Sequence, residues 1–193
     1  MLFMTRIIGG LVGSIKLASP AKATRPTSDR IRESIFSRLE ARAAIEGKTV
    51  ADLYAGTGAL ALESLSRGAS EAVMVERDGK AAAVCVANAY KVQKALDKQD
   101  IEVATKIVNK SVKQFLVENQ VELGLVFIDP PYEIANEEVT ENLAALLPTL
   151  SKDATVIVER SSRDAQPEIP EGYELEDAKN YGDTTVYWLT LSD

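Results

Sequence analysis

Between residues 31 and 43 an apolar side chain recurs at every fourth position: Ile31, Ile35, Leu39 and Ala43. That period marks one face of an α-helix. The spacing predicts a helix whose first turn holds Pro26, with its fixed φ, and which runs to about Ala44 before Gly47 ends it. After Gly47 the pattern changes to short apolar runs separated by amphipathic stretches. Residues 49–54, 71–76, 101–108, 123–128 and 154–158 read as strands. Residues 59–67, a long stretch capped by Asp78 and reaching Lys98, 111–118 and 137–147 read as helices. Runs of this kind alternating with helices predict a parallel sheet covered on both faces. Residues 173–177 and 184–191 leave no room for a helix between them and should pair as an antiparallel hairpin. At the start, residues 5–8 and 11–17 flank Gly9-Gly10, a pair that can supply the positive φ of a hairpin turn. The expected fold is therefore α/β: a seven-stranded, mostly parallel sheet with a C-terminal antiparallel hairpin and a short N-terminal β-hairpin. Residues 1–26 would form the hairpin and a basic arm, and residues 27–193 the main domain.

A length of 193 residues fits one such domain and leaves little for a second. No apolar run approaches the length of a membrane span, and the first residues lack the pattern of a signal peptide. Met4 is a second candidate start. With a single cysteine, Cys85, no intrachain disulfide and no cysteine-based zinc site can form. The chain contains no histidine, which removes Ser-His-Asp and Cys-His nucleophiles and histidine-bound metals. A metal is not expected, and the expected setting is the cytoplasm. Any chemistry must run on carboxylates, hydroxyls, amines, backbone groups or a cofactor.

Charge adds an asymmetry. The chain holds 22 basic and 29 acidic residues, a net charge of −7. Within residues 1–32, however, Arg6, Lys16, Lys22, Arg25, Arg30 and Arg32 face only Asp29, a net +5 that leaves −12 on the remainder. A basic arm on an acidic body suits either local contact with a polyanion or a solubility asymmetry without function.

Two motifs carry candidate chemistry. Asp52-Leu53-Tyr54-Ala55-Gly56-Thr57-Gly58 passes from a strand into a helix, and Glu76 ends the next strand. Glycines let the backbone approach a ligand, the helix N-terminus offers N–H groups, and an acid after the second strand accepts from ribose hydroxyls. Residues 56–61 also fit the G-x-G-x-x-A fingerprint of NAD enzymes. Asp52 weighs against that reading, because its charge would repel a pyrophosphate and attract an α-amino group. The second motif, Asp129-Pro130-Pro131-Tyr132, follows an apolar strand. Its carboxylate and a proline-fixed carbonyl form a fork of acceptors for the two hydrogens of an NH₂ group, and Tyr132 offers a flat face to a base.

Together these motifs resemble those of S-adenosylmethionine-dependent amino-methyltransferases. More narrowly, Arg6-Ile7-Ile8-Gly9-Gly10, the block from Arg25 to Glu33, Ser66-Arg67-Gly68-Ala69 and Tyr181-Gly182-Asp183-Thr184 are similar to the RsmD-type family, which methylates N2 of a guanine in 16S ribosomal RNA. The resemblance implies a Rossmann-like methyltransferase fold with S-adenosylmethionine as cofactor. It places Asp52, Tyr54, Ala55, Gly56, Thr57 and Gly58 at the methionine part of the cofactor, Glu76 at the ribose and Arg77 beside the adenine. Ser111 stands where the family's acidic contact to the adenine amine is expected, and a hydroxyl there accepts more weakly. Asp129, Pro130, Pro131 and Tyr132 become the catalytic group. Arg6, Lys16, Lys22, Arg25 and Arg30 become the RNA contacts, and the partner is 16S ribosomal RNA, within the small subunit or an assembly intermediate.

Three other readings compete. The acceptor fork suits the N6 amine of adenine in DNA or RNA equally well. An NAD-dependent oxidoreductase would leave Asp129 to Tyr132 unexplained. A non-catalytic assembly factor would have no need of that motif. Elsewhere the expectations are structural: Cys85 as packing, one of Tyr187 and Trp188 facing the core, and Glu137, Glu138 and Glu141 on a solvated helix face.

Overall fold

The computed structural model describes residues 5–19 and 28–192. In chain order the elements are α1 (Asp29–Ala41), β1 (Thr49–Asp52), α2 (Ala59–Ser66), β2 (Glu71–Val75), α3 (Gly79–Asp97), β3 (Ala104–Val108), α4 (Val112–Glu118), β4 (Leu123–Ile128), α5 (Asn136–Leu146), β5 (Leu150–Ser161), β6 (Tyr173–Tyr181) and β7 (Thr184–Leu191). The strands form one sheet in the order β3-β2-β1-β4-β5-β7-β6. Neighbours from β3 through β5 pair in parallel, and β7 runs antiparallel to both β5 and β6. The Rossmann-like α/β sheet expected from the sequence is present.

Alternate residues of the central strands feed opposite faces. Val50, Met74, Leu125 and Phe127 pack with α1, α2 and α3. Ala51, Val73, Val126 and Ile128 pack with α4 and α5. Because β1 is paired on one side with β2 and on the other with β4, its C-terminal end sits where successive connections diverge to the two sides. This is the switch point at which open α/β sheets bind ligands.

Local chemistry refines several expected boundaries. α1 begins at Asp29, with the Ser28 hydroxyl accepting from the Ile31 amide at 3.3 Å. Pro26, expected in the first turn, lies outside the described residues. β5 begins at Leu150, well before residue 154. Exposed Lys152 and Asp153 hid that end in the sequence, and Asp153 pairs with Lys48. β6 extends to Tyr181 as a polar edge strand, a composition that discourages pairing with another chain. Tyr187 and Trp188 are both buried, since β7 lies inside the sheet and is covered on both faces.

The expected N-terminal hairpin is present, with its turn displaced. Arg6 and Lys16 bridge antiparallel, the Leu17 and Ile7 amides donate to the Thr5 and Ile15 carbonyls at 2.8 and 2.9 Å, and the chain reverses over residues 11–14 rather than at Gly9-Gly10. Gly10 serves a different purpose. It holds φ +76°, and a Cβ there would lie 2.1 Å from the Ser66 carbonyl oxygen. The loop is fastened to the end of α2: Ile8 and Gly9 amides donate to the buried Glu63 carboxylate at 2.6 and 2.9 Å, and Ser66 Oγ donates to the Gly9 carbonyl at 2.7 Å. Ile7, Val12 and Leu17 enter the same core as α1 and α2.

Candidate active site

The ends of β1, β2, β4 and β5 open into a cleft of about 840 Å³. Asp52, the last residue of β1, sits in its floor and is 1 % exposed. The backbone amides of Tyr54 and Ala61 hold its carboxylate, yet among the described residues Oδ1 has no hydrogen-bond partner. Burial, then the nearby charges of Asp129 and Glu76, push the Asp52 carboxyl up to about 7. An orphaned, buried carboxylate oxygen at a ligand cleft calls for a donor, and a cationic amine satisfies both its hydrogen bonding and its charge.

The chain after β1 is fixed at each step. The Ala55 amide donates to the Val75 carbonyl at 3.0 Å, and the Gly56 amide to Glu76 Oε2 at 2.9 Å. Gly58 caps α2 at φ +77°, and a Cβ on it would come within 2.9 Å of Met74 Sδ and Cys85 Sγ. Glu76 is held through its other oxygen by the Asp78 amide at 2.8 Å. Arg77 is exposed at the rim. Cys85 packs under the glycine turn, and burial raises its thiol to about 12, which leaves it inert.

On the opposite wall, Asp129 is half-buried and Pro130 buried. The Pro131 carbonyl accepts from the Ile134 amide at 3.0 Å, whereas no amide among the described residues takes up the Pro130 carbonyl. Tyr132 is 63 % exposed at the mouth. Ser111 reaches the cleft, but its hydroxyl is engaged in a capping box: it accepts from the Gln114 amide at 3.3 Å and donates to Gln114 Oε1 at 3.0 Å. Tyr181, Asp183 and Thr184, at the turn joining β6 to β7, also line the cleft.

The structure adds residues that the sequence did not single out. Asn142, buried on α5, donates to the Tyr54 hydroxyl at 2.8 Å, and Glu138 lies beside it at 3.5 Å. Burial and that carboxylate push the Tyr54 phenol up to about 12. Glu138 therefore lines the cleft and does not belong to a purely solvated face. Asn88 joins two segments, donating to the carbonyls of Thr57 at 2.9 Å and Ala18 at 3.0 Å. Arg160, buried at the end of β5, donates to the Ile134 carbonyl and Asn136 Oδ1 at 2.8 and 2.9 Å, and so braces the loop after Tyr132. Lone Asn and Arg residues between apolar runs give no sequence signal; only the folded distances reveal these ties.

Of the predicted RNA contacts, Arg6, Lys16 and Arg30 are exposed, and Arg6 pairs with Asp29 at 3.4 Å. Lys22 and Arg25 lie outside the described residues. Arg32 is buried and donates to the Arg6 carbonyl and Asp29, each at 2.8 Å.

The buried Asp52 carboxylate and the Asp129–Tyr132 segment thus face one cleft at the C-terminal ends of the strands. The model of the family described as conserved hypothetical protein 95 matches residues 5–190. The chain belongs to this family, the RsmD-type methyltransferases. It is 32 % identical to ribosomal RNA small subunit methyltransferase D of Escherichia coli K12, covering 92 % of this chain and 85 % of that protein. The enzyme of the same name from Haemophilus influenzae is also 32 % identical, over 92 % of this chain and 89 % of its own length. Among solved structures, yhhF from Escherichia coli superposes with a TM-score of 0.80 at 28 % identity, covering 97 % of this chain and 98 % of that one. The family's match begins at Thr5, so it includes the loop bolted onto α2.

Proposed function

We propose that this RsmD-type methyltransferase transfers a methyl group from S-adenosylmethionine to the exocyclic N2 amine of a guanine in 16S ribosomal RNA. The setting is the cytoplasm, and the substrate is RNA within the small subunit or an assembly intermediate. The observation that carries the reading is the meeting, in one cleft, of the orphaned Asp52 oxygen with Asp129 and the unclaimed Pro130 carbonyl. The names of the relatives support a ribosomal RNA substrate.

Asp52 would receive the α-amino group of the cofactor, and Glu76 the ribose hydroxyls. Tyr54, Ala55, Gly56, Thr57 and Gly58 would border its methionine part, with Arg77 and Ser111 near the adenine. Three carboxylates in one cleft suit a ligand with a cationic sulfonium and ammonium, and disfavour a pyrophosphate. The cofactor supplies an already activated methyl group.

The target nitrogen is a weak nucleophile because its lone pair is delocalised into the ring. Asp129 and the Pro130 carbonyl would accept its two hydrogens, aim its lone pair and stabilise the positive charge that develops on it. Pro131 keeps the loop stiff, and the exposed Tyr132 ring would stack on the base, a contact worth about 1–3 kcal/mol. A base that must enter such a cleft has to be unpaired or flipped out.

The test combines cofactor and product. Calorimetry should show S-adenosylhomocysteine binding that Glu76→Ala weakens severalfold. Mass spectrometry of nucleosides from 16S RNA of a deletion strain should show loss of N2-methylguanosine, restored by the wild-type chain. Loss of N6-methyladenine instead would move the assignment to the other amine that the fork accepts.

A further inference from the structure

The charge asymmetry seen in the sequence stops at residue 32, but the structure continues it onto a helix. α3 carries Lys80, Lys91 and Lys94 against Asp97, with Asp78 as its N-cap and Lys98 as its C-cap. At 100° per residue, positions 80, 84, 87, 91, 94 and 98 fall within about 80° of arc. All four lysines therefore share one stripe, and Asp97 sits about 100° away from Lys98. Ala87 and the half-buried Val84 lie between them on that stripe. The stripe is about 27 Å long, from eighteen residues at 1.5 Å each.

This stripe adjoins the N-terminal loop. Asn88 Oδ1 accepts from the Ala18 amide at 2.8 Å, Lys91 Nζ donates to the Lys16 carbonyl at 2.6 Å, and Gln99 Nε2 donates to the Leu11 carbonyl at 3.0 Å. The loop thus runs antiparallel along α3, and its exposed Lys16 stands beside Lys91. One end of the stripe is the cleft itself, since Lys80 lines it together with Thr5 and Ser19. Among the described residues, none of the four α3 lysines forms an ion pair with a carboxylate. Lys94 instead lies 5.7 Å from the ring centroid of Tyr90, which is 65 % exposed.

We propose that the flank formed by the α3 lysines and the N-terminal loop is the docking surface for the phosphate backbone of the RNA whose base enters the cleft. The inference rests on the function proposed above. On a chain of net charge −7, a one-sign track that starts at the cleft is complementary to a polyanion. Tyr90 adds a flat face for an unpaired base at the track's outer edge. Lys94 and Lys98 lie far along the helix from the cleft, so their effect separates grip from chemistry.

The experiment uses the full chain with Lys94→Glu and Lys98→Glu together. Binding and methylation are measured on undermethylated small ribosomal subunits and on protein-free 16S RNA, between 50 and about 200 mM salt. The control is Lys113→Glu with Lys152→Glu, equal in charge change but away from the flank. The expected result is at least about tenfold weaker binding to both RNA substrates, with a salt slope shallower by about two phosphate contacts. S-adenosylhomocysteine affinity should match the wild type, and the melting temperature should fall only slightly, because glutamates in the last turn of α3 oppose its dipole. An equal loss in the control would reduce the effect to net charge and overturn the proposal. Weaker binding to particles with unchanged binding to protein-free RNA would assign the flank to a ribosomal protein instead. A wild-type chain that methylates neither substrate overturns the functional reading itself, before any variant is compared.

Discussion

The loops after β1 and β4 leave adjacent strands of one sheet and face each other across one cleft, yet they are held by opposite means. The β1 loop is fixed by its own backbone: Ala55 and Gly56 amides are bonded to β2 and Glu76, and Gly58 sits where any side chain would strike Met74 and Cys85. The β4 loop is fixed by covalent stiffness and by one distant side chain. Two prolines set its φ angles, and Arg160 braces it from β5. The first loop is largely buried, with Leu53, Ala55 and Gly58 packed away from solvent. The second presents Tyr132 to solvent. The difference teaches that the β1 side is held in place by its own backbone, while the β4 side is rigid at Asp129 and Pro130 and, on the proposed function, is finished only when RNA covers Tyr132.

The largest effect should come from the β4 side. Asp129→Ala should lower the methyl-transfer rate by about 10²–10³-fold, because the lost acceptor acts on charge developing in the transition state. Cofactor binding should survive, with one specific change. The Asp129 charge helps to raise the Asp52 carboxyl, so its removal should move the pH midpoint of S-adenosylhomocysteine binding downward. Single-turnover kinetics and a pH series of calorimetric titrations read the two effects separately. Near wild-type turnover would remove Asp129 from the chemistry.

The comparison also explains what the sequence could and could not convey. The strand-helix alternation and both motifs were legible because they are local: periodicity, glycines before a helix and prolines after a strand act within a few residues. The N-terminal hairpin was legible, but its turn falls at residues 11–14 and not at Gly9-Gly10, although that pair looks like a turn. Its true constraint is the Ser66 carbonyl 56 residues away, to which Gly10 must come close. Asn88, Asn142 and Arg160 were invisible for the same reason, since each acts on a partner from another element. Ser111 was read for its place opposite the adenine, and the capping box that claims its hydroxyl also lay in plain view in Ser111 and Gln114.

A second, smaller effect tests the β1 side. The Asp52 carboxyl is raised from 3.8 to about 7. A raised acid stabilises the free protein at low pH, and that contribution is lost as pH climbs through the window from about 4 to about 7. Binding a cationic amine has the opposite preference, because it requires the ionised form. S-adenosylhomocysteine affinity should therefore fall as pH drops below about 7, by up to about tenfold per unit, and level off above it. Titrations at pH 6 in two buffers of different ionisation enthalpy should show close to one proton released. Asp52→Asn should flatten the profile, weaken binding at pH 8 and raise the melting temperature of the free protein there. A profile that is level from pH 5 to 8 in the wild type would show that Asp52 does not face the amino group.

The smallest effect falls on the seam between the halves, at Ser111. Its hydroxyl caps α4 while bordering the cleft. Ser111→Ala should destabilise the protein by about 1 kcal/mol through loss of the cap. Any loss of cofactor affinity should stay within about 0.5–1.5 kcal/mol, the worth of one neutral hydrogen bond. The two roles separate in Ser111→Asp, because aspartate caps a helix as well as serine does and adds a stronger acceptor for an adenine amine. That variant should melt with the wild type and bind S-adenosylhomocysteine more tightly. If it melts normally and its affinity is unchanged, Ser111 is a helix cap alone, and the adenine amine is met by another group on that wall.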